Sequence, residues 1–149
     1  MDKNEQLSVV IPVYNEEDNL QALMERLLPV LQQTGKSFEI IFIDDGSRDN
    51  SLPILKSFIK YEQVKVLELT RNYGQHAAIM AGFSVSSGDI VVTMDADLQN
   101  PPEEIPALLA AMEEGNFDVV GTIRKGRKDS LFRILPSKIV NMVARKITG

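Results

Sequence analysis

Five short apolar runs punctuate this chain, and segments with helical spacing fill the intervals between them. The runs occupy 7–13, 38–43, 64–69, 90–94 and 117–122 and are rich in Val, Ile and Leu. Runs of this length and composition read as strands. In the first interval Leu20, Leu23, Met24, Leu27, Leu28 and Leu31 recur at three- and four-residue spacing, the pattern of a helix with one apolar face. Leu52, Leu55, Phe58 and Ile59 do the same in the second. The order is strand–helix repeated four times, a fifth strand and a final helix. That alternation predicts an α/β fold with a mostly parallel sheet.

Local chemistry sets the boundaries. Pro12 stands near the end of the first run, where a missing N–H costs least, or on an edge strand. Asn15, with Asp18 three residues later, is the expected N-cap of the first helix. Gly35 ends that helix, and Pro53 fits the first turn of the helix over 51–61. Ala77, Ala78, Ala81 and Gly82 predict a helix over 77–85 packed close against the sheet. Pro102, Glu103 and Glu104 open a helix running to Glu114, with acids where the helix dipole favours them, and Gly115 stops it. Phe132, Leu135, Ile139, Met142 and Val143 mark one side of an amphipathic helix over 131–147.

A chain of 149 residues, 44% hydrophobic and 25% charged, fits one globular domain. It holds no cysteine, which excludes disulfides and thiolate metal sites. The polar start at 1–6 is not a signal peptide, and no apolar run approaches the roughly 20 residues that span a bilayer. The net charge of −5 is uneven: residues 1–123 carry 8 Lys/Arg against 20 Asp/Glu, and residues 124–149 carry 8 Lys/Arg against Asp129 alone. A basic end on an acidic body suits an anionic partner such as phosphate, a membrane surface or nucleic acid; it equally suits a solvated helix face.

The fourth run ends in Asp95-Ala96-Asp97-Leu98-Gln99-Asn100-Pro101-Pro102. Strand residues two apart point the same way. Extended geometry through Asp97 would therefore set both carboxylates on one side, at the carboxyl end of a strand, where open α/β sheets bind ligands. Two like charges so placed suit a hard cation, which takes one or two carboxylates with phosphate oxygens and waters. The alternative is two turn carboxylates capping the next helix. Asp44-Asp45-Gly46-Ser47 ends the second run and suits either a ribose or base contact or ordinary turn chemistry. Tyr14 and Glu16 follow the first run and suit either a nucleotide or a helix start. His76, the single histidine, Arg71 and Arg124 sit in loops and fit phosphate or proton duty as well as structural roles. The glycine-rich dinucleotide fingerprint is absent. A bound diphosphate would need another means of neutralisation, and a metal at Asp95 and Asp97 would supply it.

Taken together, Val10-Ile11-Pro12-Val13-Tyr14-Asn15-Glu16, Asp44-Asp45-Gly46-Ser47-Arg48-Asp49 and Asp95 to Pro102 resemble, in this order, the family 2 inverting glycosyltransferases of the polyprenyl-phosphate branch. Arg71-Asn72-Tyr73-Gly74-Gln75-His76 and Asn100 to Pro106 strengthen the likeness within that branch. The resemblance covers essentially the whole chain. It implies a GT-A (Rossmann-like) three-layer sandwich with a mostly parallel central sheet, and transfer of a sugar from a UDP-linked donor to a polyprenyl phosphate. It implies that Pro12, Tyr14, Glu16 and Asp45 hold the nucleotide, with Ile43 lining the base site. Asp95, Ala96 and Asp97 would meet the sugar nucleotide. Asp95, Asp97 and Gln99 would hold Mg²⁺ or Mn²⁺, and Arg124 and Arg133 would contact the donor phosphates. Asp97 and Arg124 would carry the chemistry.

Such enzymes continue past Gly149, so this chain is expected to be the donor-binding part, with 124–149 facing the membrane or the acceptor. Each basic residue there adds about 1 kcal/mol of attraction to an anionic surface. The implied location is the cytoplasmic face of a bacterial inner membrane, and the helix over 131–147 would lie on that surface or drive self-association into a homo-oligomer. Four rival readings remain open at this point: a non-catalytic nucleotide- and metal-binding fragment, a phospho-acceptor regulatory domain, a nucleic-acid binder through 124–146, and a related transferase using glucose or mannose. The Asp-Ala-Asp motif argues against the second. The acidic body, and a tail with Phe132 as its one aromatic residue, argue against nucleic acid.

Overall fold

The computed structural model describes residues 6–122. Four parallel strands, β1 (Gln6–Val13), β2 (Ser37–Asp44), β3 (Val64–Glu68) and β4 (Ile90–Thr93), form one sheet in the order β3-β2-β1-β4. Helices α1 (Glu17–Gln33), α2 (Ser51–Phe58) and α3 (Gln75–Val85) are the crossovers, and α4 (Ile105–Gly115) follows β4 through a short 3-10 turn at Pro102–Glu104.

Alternation along the strands builds three layers. Leu7, Val9, Ile11 and Val13 of β1, with Ile40 and Phe42 of β2, face a large core shared with α1, α2 and α4. Val10, Ile41 and Ile43 face the other way, onto Ala78 of α3. The small residues of α3 serve close approach: a Cβ on Gly82 would clash with Val10 Cγ1 and lie 2.8 Å from Ile43 Cδ1. Ala78 and Ala81 share that contact face, whereas Ala77 is exposed.

Pro12 lies in an inner strand, not an edge, and the register explains why it is tolerated. Val10 and Pro12 turn their backbone groups toward β4, and Val10 accepts a hydrogen bond from Met94 N. The β1–β4 ladder ends at Val10 opposite Thr93. Proline's missing donor therefore points past the end of the neighbouring strand.

Two expectations fail. The fifth run does not form a strand: residues 117–122 join no ladder among the described residues. Asp118–Thr122 instead forms one wall of a groove of about 500 Å³ whose other walls are β4 and α4. A strand exists only by pairing, and here the groove separates the segment from the nearest edge. The second failure is Asn15, which does not cap α1. Its φ is +54°, in the left-handed region, and Glu16 holds the cap position. Residues 124–149, with Arg124, Arg133 and the helix expected over 131–147, lie outside the described residues. Among the described residues no helix is long and apolar enough to cross a membrane.

The sheet is tied together at the end away from the strands' carboxyl termini. Glu39 of β2, 4% exposed, accepts at Oε1 from Ser8 Oγ (2.6 Å), Ser87 N (2.7 Å) and Ser87 Oγ (2.9 Å). Its Oε2 pairs with Lys65 Nζ of β3 at 2.6 Å. One carboxylate thus joins β1, β2, β3 and the approach to β4. Burial pushes its pKa up, but the hydrogen bonds from Lys65, Ser8 and Ser87 outweigh burial and hold it at about 2.

Candidate functional site

In a parallel sheet all four strands deliver their following loops to one edge. The order β3-β2-β1-β4 reverses direction at β1, so the loops after β1 and β4 part there and leave a crevice. A cleft of about 340 Å³ occupies it, lined from β1 and its loop by Pro12, Val13, Tyr14 and Glu16, and from the loop after β2 by Asp45. Asn72, Gly74 and Gln75 line it from the loop after β3, and Asp95, Ala96 and Asp97 from the loop after β4.

The alternation expected beyond β4 holds for four residues. Met94 and Ala96 are buried, while Asp95 and Asp97 face the cleft. It breaks at Leu98, whose φ is +60°. The chain turns there, and Asp97 Oδ1 accepts from Gln99 N at 3.0 Å. Gln99 therefore meets Asp97 through its backbone; its side chain is exposed and does not line the cleft.

Asp44 and Asp45 divide the two roles weighed for them. Asp44 turns inward: it is 1% exposed, and its Oδ2 accepts from Ser47 N at 3.2 Å. Asp45 faces the cleft and clamps the next loop, accepting from Tyr73 N (2.7 Å) at Oδ1 and from Gly74 N (2.9 Å) at Oδ2. Gly46 allows the two loops to meet. Its φ is +70°, and a Cβ there would lie 2.6 Å from the carbonyl carbon of Arg71.

The loop after β1 is stitched to the start of α2. Asn15 Oδ1 accepts from Arg48 N at 2.8 Å, Asn15 N donates to Ser47 Oγ at 3.0 Å and Glu16 N to Ser51 Oγ at 2.8 Å. Glu17 N donates to Asp49 Oδ2, and Asn50 N to Glu17 Oε2. Glu16 Oε2 also accepts from Asn19 Nδ2 at 2.7 Å. Tyr14 is 40% exposed at the cleft, an aromatic face open to a flat ligand.

Of the described candidates, Pro12, Tyr14, Glu16, Asp45, Asp95, Ala96 and Asp97 converge on this cleft. Ile43 does not. It is fully buried against α3, because alternation along β2 turns it to that face. His76 is exposed outside the cleft, and Arg71 stacks over the exposed Tyr73 ring, 4.7 Å from its centre. Asn72, Gly74 and Gln75 are lining residues that sequence reasoning did not single out. Their signal was available: a polar loop with one glycine follows a strand of the same parallel sheet.

The donor set is all oxygen. Among the described residues no three or more His, Cys, Asp or Glu side chains cluster tightly enough to enclose a metal. Two cleft carboxylates with space beside them instead fit a hard cation that takes its remaining ligands from substrate phosphates and water.

The parallel sheet with acidic side chains at its switch point has the architecture of the GT-A glycosyltransferase fold. The chain belongs to glycosyl transferase family 2, whose profile it matches over residues 8–148. It is 53% identical over 151 aligned positions to the undecaprenyl-phosphate 4-deoxy-4-formamido-L-arabinose transferase of Pectobacterium carotovorum, a match covering 100% of this chain and 46% of that protein. The chain thus spans about half the length of the curated relatives it matches. Among solved structures it is similar to the mannosyltransferase PcManGT of Pyrobaculum calidifontis, in complex with GDP-Man and Mn²⁺. The TM-score is 0.68 at 17% identity, covering 84% of this chain and 37% of that one. It is also similar to glucosyl-3-phosphoglycerate synthase of Mycobacterium tuberculosis, in complex with Mn²⁺, UDP and glucosyl-3-phosphoglycerate. That TM-score is 0.59 at 28% identity, covering 72% of this chain and 39% of that one.

Proposed function

We propose that this chain is the donor-binding part of an inverting glycosyltransferase. It would move 4-deoxy-4-formamido-L-arabinose from a UDP-linked donor to undecaprenyl phosphate, in lipid A modification at the cytoplasmic face of a bacterial inner membrane. One observation carries the reading: Asp95 and Asp97 meet Tyr14, Glu16 and Asp45 in a single cleft at the sheet's switch point. The relative's name supports the sugar and the lipid acceptor, and UDP with Mn²⁺ in the synthase structure supports the nucleotide and the metal.

In this reading Tyr14 packs on the base, and Glu16 and Asp45 accept from ribose or base donors. Asp95 and Asp97 would hold Mg²⁺ or Mn²⁺, whose chemistry here is to draw charge from the departing diphosphate. The acceptor phosphate is ionised near neutral pH, so an oxygen of it attacks the anomeric carbon without a strong general base. The carbon–oxygen bond to the diphosphate breaks and UDP leaves, with inversion. Arg124, and Arg133 beside it in role, would steady the leaving phosphates. The basic segment 124–149 would face the membrane and the anionic acceptor.

Calorimetry with UDP, with and without Mn²⁺, tests the proposal. The expected result is UDP binding that tightens with Mn²⁺, and Asp97→Ala should abolish the tightening. Well-folded protein giving no metal-dependent heat would refute it.

A further inference from the structure

We propose that Gln75 is a positioning residue for Asp95: its side-chain amide aims this carboxylate at the divalent cation. The inference rests on the reading of Asp95 and Asp97 as the metal-holding pair and adds to it a residue outside the acidic motif. Gln75 Nε2 donates to Asp95 Oδ1 at 2.7 Å across 20 residues of sequence. Both residues line the cleft.

Gln75 is not placed by chance of rotamer. The two residues before it are fixed by Asp45, which accepts from Tyr73 N and Gly74 N. Gly74, at φ +92°, then turns the chain, and α3 begins at Gln75. The backbone of Gln75 is thereby set from below by a nearly buried carboxylate, and its side chain spans to the loop after β4. A hydrogen bond at one oxygen fixes the plane of a carboxylate and so directs the other oxygen.

The choice of an amide matters. Glu16, Asp45, Asp95 and Asp97 all line the cleft. Gln75 Nε2 reaches Asp95 as an uncharged amide. Such a bond orients the carboxylate without itself cancelling its charge. A lysine at position 75 would also donate to Asp95, but it would compete with the metal for it. Partners of this kind, which orient a ligand without touching the metal, change metal affinity by about 10–100-fold when removed.

The test uses the full chain with UDP and Mn²⁺, reading free Mn²⁺ by electron paramagnetic resonance and metal-free UDP binding by calorimetry. Gln75→Ala should weaken Mn²⁺ binding in the presence of UDP by about 10-fold and leave metal-free UDP affinity unchanged. Gln75→Asn, which keeps the amide but withdraws it from reach, should weaken Mn²⁺ similarly and covers the case in which the alanine variant folds poorly. Gln75→Lys should bind Mn²⁺ at least as weakly as Gln75→Ala. Mn²⁺ affinity within about twofold of the unsubstituted protein in both shortened variants would overturn the proposal, as would an equal loss of metal-free UDP binding. His76→Ala, next along the helix and outside the cleft, should change neither quantity. If the unsubstituted chain binds no Mn²⁺ with UDP, the reading of the cleft falls and this inference with it. If it binds and the variants match it, this inference alone falls.

Discussion

Glu39→Gln isolates one charge at the sheet's far end. Glutamine keeps an oxygen in place of Oε1, which accepts from Ser8 and Ser87, and turns an amide toward Lys65. The bonds at the retained oxygen persist, while the contact with Lys65 is lost because amide and ammonium are both donors. The carboxyl sits at about 2 in the folded protein against an ordinary 4.5, a difference worth about 3 kcal/mol at neutral pH. Lys65 is half-exposed, so solvent screens its share, and the expected cost of Glu39→Gln at pH 7 is about 2 kcal/mol. The sign of the pH dependence follows from the downward shift. The contribution is fully present above the unfolded value near 4.5 and is lost as pH falls through about 2. Urea unfolding of both proteins at pH 7, 5, 4 and 3 reads this directly. The stability difference should be flat from pH 7 to 5 and fall to about half by pH 3. No difference at pH 7, or a difference that stays constant down to pH 3, would refute the assignment of that stability to the Glu39 charge.

Other substitutions probe the close approaches. Gly46→Ala combines a left-handed backbone with a clash against the Arg71 carbonyl carbon, and should cost more than about 2 kcal/mol in urea unfolding. Gly82→Ala forces a methyl between α3 and Val10, and should cost about 1–3 kcal/mol while leaving UDP affinity unchanged. Arg26→Ala removes a bidentate pair with Glu103, at 2.9 and 2.7 Å, that is exposed on both sides. Urea unfolding should detect little change from it.

The four strands were legible because each is a short apolar run followed within three residues by Asp or Asn, and because strand–helix alternation leaves few topologies. The cleft was legible for a related reason: parallel order sends every strand's following loop to the same edge, so Tyr14, Asp45 and Asp95 had to meet. The misreadings have separate causes. Residues 117–122 have the composition of a strand, but pairing is a property of the neighbouring edge, not of the run. Asn15 and Leu98 adopt left-handed backbone, which local spacing does not reveal for residues other than glycine. That conformation undid the expected cap at Asn15 and ended the alternation before Gln99, which is not among the residues lining the cleft. Ile43 was separated from the cleft by strand alternation, a signal present in the sequence. The loop carrying Gln75 could be placed at the cleft, but its pairing with Asp95 could not be read, because that partner lies 20 residues away on a different strand's loop.

The loops around the cleft are fastened to one another as well as to the sheet. Asn15, Glu16 and Glu17 bond to 47–51, Asp45 to 73–74, and Gln75 to Asp95. A rim joined in series opens as a unit, since releasing one loop removes partners from the next. The amides of Asn15, Glu16, Arg48, Tyr73 and Gly74 should therefore share one opening free energy in hydrogen exchange. The same linkage limits redesign: a loop transplanted singly from a relative arrives without its fasteners, so altering what the cleft accepts requires moving the loops as a set.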